Sequence, residues 1–62
     1  MMAIARYRSK DDHGRAHLIT QYHDERDGDW LELADGSRLV TDAAGRLATT
    51  AGECFTKLIR AD

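Results

Sequence analysis

Five glycines, at positions 14, 28, 36, 45 and 52, divide this chain into short pieces, and it contains no proline. Glycine takes positive φ without steric cost, so glycines set among polar neighbours mark turns. Short segments between regularly placed turns are the pattern of an all-β sandwich or barrel. The stretch Trp30–Lys57 carries the pattern most clearly. Leu31 and Leu33 flank Glu32, so on a strand both leucines face one way, with Trp30 and Glu32 on the other face. Asp35-Gly36 follows, a strong short-range hairpin signal between strand-like runs. A unit then recurs: a turn glycine, one or two polar residues, apolar residues and threonine, at Gly36–Thr41, Gly45–Thr50 and Gly52–Lys57.

The expected strands are Met2–Ser9, Ala16–His23, Asp29–Ala34, Ser37–Thr41, Arg46–Thr50 and Glu53–Ile59. Ala3, Ala5 and Tyr7 share one face of the first, and Arg6 and Arg8 share the other. The second has no cleanly apolar face, so its register is weakly specified. These elements predict one all-β domain over residues 1–62. It is an antiparallel meander of five or six short strands, or a partly open SH3-like barrel. The competing architecture is α+β, a four- or five-stranded sheet with a C-terminal helix. Leu47, Ala48, Ala51, Cys54, Phe55, Leu58 and Ile59 fall on one helical arc, and Thr50 with Glu53 fits a capping box. Gly52 and the Thr49-Thr50 pair oppose that helix, being poor helix formers.

A domain of about 60 residues buries only about 60% of its unfolded surface. The large apolar candidates for the core are Ile4, Tyr7, Leu18, Ile19, Tyr22, Leu31, Leu33, Leu39, Val40, Leu47, Phe55, Leu58 and Ile59. They suffice for one small core, not for a core and a deep ligand cavity. Self-association would add buried area.

The charge balance is −2. A dedicated binder of nucleic acid or anionic membrane is normally basic. The single cysteine, Cys54, excludes an internal disulfide framework and fits a reducing cytoplasm. No apolar run approaches the ~20 residues of a membrane span, and no signal-peptide core is present.

The chemical motifs are weak. His17 and His23 lie about 20 Å apart along one strand, and His13 sits in a loop beside Gly14. Together they do not make a metal site. The acidic run Asp24–Asp29 fails as a calcium loop, because His23 and Ala34 fall where oxygen ligands are needed. Cys54 reads as a small apolar filler. No nucleophile elbow, phosphate loop or dinucleotide fingerprint occurs. The reading is therefore non-enzymatic, with no cofactor.

Two surfaces remain. An outward Trp30, with Glu32 beside it, would make an interface anchor for a protein partner or a second copy. An unclosed sheet also leaves edges able to pair with another strand. The alternative is a nucleic-acid-binding small barrel using Arg6, Arg8 and Lys10, with Arg15, Arg38, Arg46, Lys57 and Arg60 extending the patch.

The strand pair ending near Gln21-Tyr22, then Leu33-x-Asp35-Gly36, Asp42-x-x-Gly45-x-Leu47 and Gly52-Glu53 before Thr56-Lys57, resembles a run in short uncharacterised bacterial proteins. Their C-terminal pattern reads DG…D…F…TGE. The resemblance spans residues 18–57, and Leu47 and Ala51 depart from it. It implies a β fold and no activity.

Overall fold

The structure, a computed structural model, describes residues 1–61. Six strands form a single antiparallel sheet: β1 (Met2–Lys10), β2 (Ala16–Asp24), β3 (Gly28–Leu33), β4 (Arg38–Thr41), β5 (Leu47–Thr49) and β6 (Ile59–Arg60). The spatial order is β5-β4-β3-β2-β1-β6. The first five strands are a meander, and the sixth returns to the far side of β1. The sheet is open, as the meander expectation requires, and the described residues contain no helix.

One turn chemistry builds most of the meander. In the turns starting at Asp11, Leu33, Asp42 and Thr49, the glycine three residues on donates its N–H to the first residue's carbonyl. The first residue's N–H in turn donates to the carbonyl four residues on, all at 2.8–3.0 Å. No non-glycine residue among those described has positive φ. That excludes the two-residue turn with two left-handed residues, and leaves a type I turn closed by a left-handed glycine bulge. Asp35-Gly36 is such a case: only Gly36 is left-handed, at φ 89°. In its first two copies the recurring sequence unit is this turn followed by a strand, and in the third the turn leads into the isolated bridges of Cys54 and Phe55.

Polar side chains reinforce the turns. Asp11 Oδ1 accepts from the backbone N–H of His13 and Arg15, and Asp42 Oδ1 accepts from Ala44 and Arg46. Gly45 has φ 83°, and a Cβ there would meet nothing within 4 Å. Gly45→Ala is therefore expected to cost about 1 kcal/mol from backbone strain alone. Gly45→Asn should recover part of that loss in urea titrations, because Asn tolerates the left-handed region.

The C-terminal helix is overturned by the same turn. Gly52 stands at φ 96°, and Thr49 N–H bonds Glu53 C=O. Thr49 Oγ1, not Thr50, accepts the Glu53 N–H. With Phe55 N–H bonded to Leu47 C=O, these backbone groups are committed across the turn and cannot bond along a helix. Nor is Glu53–Ile59 one continuous strand. Cys54 bridges Ala48, Phe55 bridges Asp11, and Thr56 N–H reaches Lys10 C=O. The segment thus passes from β5 to β1 and links the two ends of the open sheet.

The core is thinner than the apolar count suggests. Ile19, Leu33, Leu39 and Phe55 are buried together, with Tyr7, Leu31, Leu47 and Leu58 packed against them. Ile4, Leu18, Val40 and Ile59 are exposed, against expectation. Leu18 and Ile59 both stand opposite Arg8, on the face away from Ile19. Tyr22 also leaves the core, pairing with Trp30. The β1 face assignment changes too. A register irregularity lies between Ala3 and Ala5, so Ala3 stands opposite Tyr22 and Ala5 opposite Gln21. Ala5 is buried on the core side with Tyr7, and Ala3 is not. The extra residue, Ile4, gains no partner from β2.

Candidate functional site

The pairing register collects the four site residues expected from sequence on one face. Arg6, Thr20, Glu32 and Arg38 form a row across β1–β4, and Tyr22 with Trp30 forms the adjacent pair. Arg8 stands one step along, between Leu18 and Ile59. Trp30 and Glu32 therefore stand opposite in sense to Leu31 and Leu33. Trp30 is nonetheless half-buried and well partnered. Its indole N–H donates to Glu32 at 2.6 Å, it stacks on Tyr22 with centroids 5.9 Å apart, and the Arg38 guanidinium lies 4.2 Å from the ring centroid. The cation–π contact and the stack leave little of the ring free for a base or an incoming side chain.

The basic strip is short. Arg6, Arg8 and Lys10 are exposed along β1. The larger patch does not assemble. Arg15 pairs with Asp11 and Glu53, Arg46 with Asp42, and Arg60 lies over Tyr7 on the opposite face.

The open edge of β1 is the more distinctive feature. Along its outer side, Arg6 C=O accepts from Ala61, Tyr7 and Arg8 pair with β6, Lys10 meets Thr56 and Asp11 meets Phe55. Among the described residues, no strand pairs with the outer side of Met2–Ala5. Met2 and Ile4, at 66% and 42% exposure, flank that gap. A broad hollow of about 420 Å³ lies on the β2 side of the same strand start, lined by Met1, Met2, His23, Asp24, Glu25 and Arg26.

Two polar arrangements escape sequence reading. Asp11 is buried, and its Oδ2 meets both Arg15 Nε and His17 Nε2 at 2.9 Å. Burial works to raise its pKa. The His17 contact, the backbone N–H groups of Arg15 and His13 and the Arg15 guanidinium outweigh that, holding the carboxyl far below the usual range. His17 packs edge-on against Phe55 at 5.2 Å. The shared Asp-x-x-Gly spelling of Asp11–Gly14 and Asp42–Gly45 is the one sequence signal for this role.

The second is a chain on the core side of the sheet. Tyr7 OH donates to Gln21 Oε1 at 2.8 Å, Gln21 Nε2 donates to Asp29 Oδ2 at 3.0 Å, and His23 Nδ1 meets Asp29 Oδ1. It borders a depression of about 230 Å³ lined by Tyr7, Gln21, Asp29, Trp30, Leu31 and Leu58.

Each histidine thus faces a carboxylate, and no three His, Cys, Asp or Glu side chains converge among the described residues. Cys54 is half-buried, with Sγ 3.8 Å from Asp42 Oδ2. No helix of the described residues is long and apolar enough to cross a membrane. Comparison with protein families, characterised proteins and solved structures finds no match for this chain.

Proposed function

We propose that the chain is a non-enzymatic binding module that adds an extended strand of another polypeptide to the open half of β1. The carrying observation is that, among the described residues, β6 and its flanking residues occupy the outer side of β1 only from Arg6 onward. The remaining backbone groups of Met2–Ala5 are a template for β-augmentation, in which main-chain hydrogen bonds supply affinity. Exposed Met2 and Ile4 add apolar area beside that template. The Trp30 face is the weaker docking candidate, because Tyr22, Arg38 and Glu32 already engage the ring. A reducing cytoplasm suits the single thiol.

Ile4→Lys tests this reading, since a lysine on an edge strand opposes further pairing. The wild-type chain should retain a partner from an extract of its own host, and hydrogen exchange in the complex should slow at residues 2–5. Ile4→Lys should lose that partner while keeping an unchanged thermal midpoint. A mass that rises with concentration and returns to monomer in Ile4→Lys would make the partner a second copy. Retention unaffected by the substitution, or protection confined to the Trp30 face, sinks the edge reading.

A further inference from the structure

We propose that the depression on the core side of β1–β3 receives a lysine side chain of a bound polypeptide. The inference rests on the binding-module reading, and adds to it the chemistry of one partner residue.

The lining divides into two parts. Tyr7, Leu31 and Leu58 offer aromatic and aliphatic walls, suited to the alkyl stem of a long side chain. Among the described residues of the lining, Asp29 is the single formally charged one, and it is an anion. A volume of about 230 Å³ holds one such side chain and little more.

The carboxylate is oriented from both sides. Gln21 Nε2 occupies one lone pair of Oδ2, and His23 Nδ1 occupies one of Oδ1. Tyr7 OH fixes the amide by donating to its oxygen, which aims the Gln21 nitrogen at Asp29. The Asp29 side chain still keeps 45% of its surface open. Each oxygen therefore retains acceptor capacity, but the two are no longer free as a matched pair. A guanidinium fork wants both oxygens together, whereas an ammonium is a point charge with three rotatable donors. The geometry thus favours lysine over arginine. Arg60 lies over the same Tyr7 ring from β6, at 5.8 Å from its centroid, and is not part of the lining.

The test uses the chain alone, so it stands apart from the edge experiment. The ¹⁵N-labelled protein is titrated at low ionic strength with the N-acetyl methylamides of lysine, norleucine and arginine. Lysine should shift the amides of Gln21, Asp29, Leu31 and Leu58 saturably. Norleucine, which has the stem without the charge, should bind at least about fivefold more weakly, as expected for one partly exposed charge-assisted contact. Arginine should fall between them. Asp29→Asn should bring lysine down to the norleucine level and leave norleucine unchanged, with the rest of the spectrum intact. Equal shifts from lysine and norleucine overturn the proposal. So does full lysine binding by Asp29→Asn, or lysine shifts spread evenly over the acidic turns.

Discussion

Ile19→Ala is expected to lose about 3 kcal/mol of stability, the middle of the range for emptying a fully buried aliphatic site. Ile19 has no exposed surface and sits between Tyr7 and Leu33 in the register. At about 0.05–0.15 kcal/mol per residue, a chain of this length has roughly 3–9 kcal/mol in total. One substitution therefore removes a third or more of what holds the sheet together. Leu18→Ala, one residue earlier on the same strand, should cost under about 1 kcal/mol, because Leu18 is already 46% exposed. Urea unfolding of the pair reads the contrast directly. Equal losses would mean that β2 presents the other face to the core.

Asp11→Ala carries the second large effect. The carboxylate serves two backbone N–H groups of its own turn, the Arg15 guanidinium and His17. Removing it leaves those donors without their acceptor where Phe55 bridges β1 and fastens the return segment. A fall in thermal midpoint on the order of 10 °C is expected for a domain this small. Asp11→Asn should retain part of the turn and lose the contacts at Oδ2. The pH dependence follows from the direction of the shift. The folded carboxyl lies below its unfolded pKa, so the folded chain binds fewer protons in acid. Its contribution is complete above about pH 4 and declines as pH falls toward the depressed folded value.

Four more carboxylates act in the same direction. Asp24 is lowered mainly by the backbone N–H groups of Arg26 and Asp27, and Asp29 by His23. Asp35 is lowered by Ser37, and Asp42 by Arg46. Thermal midpoints taken from pH 6 to pH 2 should fall, and Asp11→Ala should flatten that fall. An unchanged slope would mean that Asp11 is protonated over the same range folded and unfolded.

Much of the strand layout was legible because its causes are local. A left-handed backbone at Gly36 or Gly45 needs only a missing Cβ, and Asp42, three residues before Gly45, accepts its turn's own N–H groups. The facing of Trp30 and Glu32 against Leu31 and Leu33 followed from alternation within one strand. Alternation failed where the cause lay elsewhere in the chain. The irregularity at Ile4 put Ala3 opposite Tyr22, and no residue between Met2 and Tyr7 announces it. The helical arc of Leu47–Ile59 was equally real as a pattern. It lost because Thr49, Glu53 and Phe55 find backbone partners across the turn and on β5.

Sequence alone thus determined where this ribbon turns and that its strands run antiparallel, while leaving their number at five or six, since turns and alternation depend on φ preferences and a period of two over a few residues. Tertiary structure alone decided that Asp11 is buried, that Leu18 and Ile59 are not, and that no strand of the described residues pairs with the outer side of Met2–Ala5. Each of these depends on which distant residues arrive beside it. Phe55 reaches Asp11 across 44 positions, and β6 pairs with β1 at Tyr7 and Arg8 rather than at its beginning.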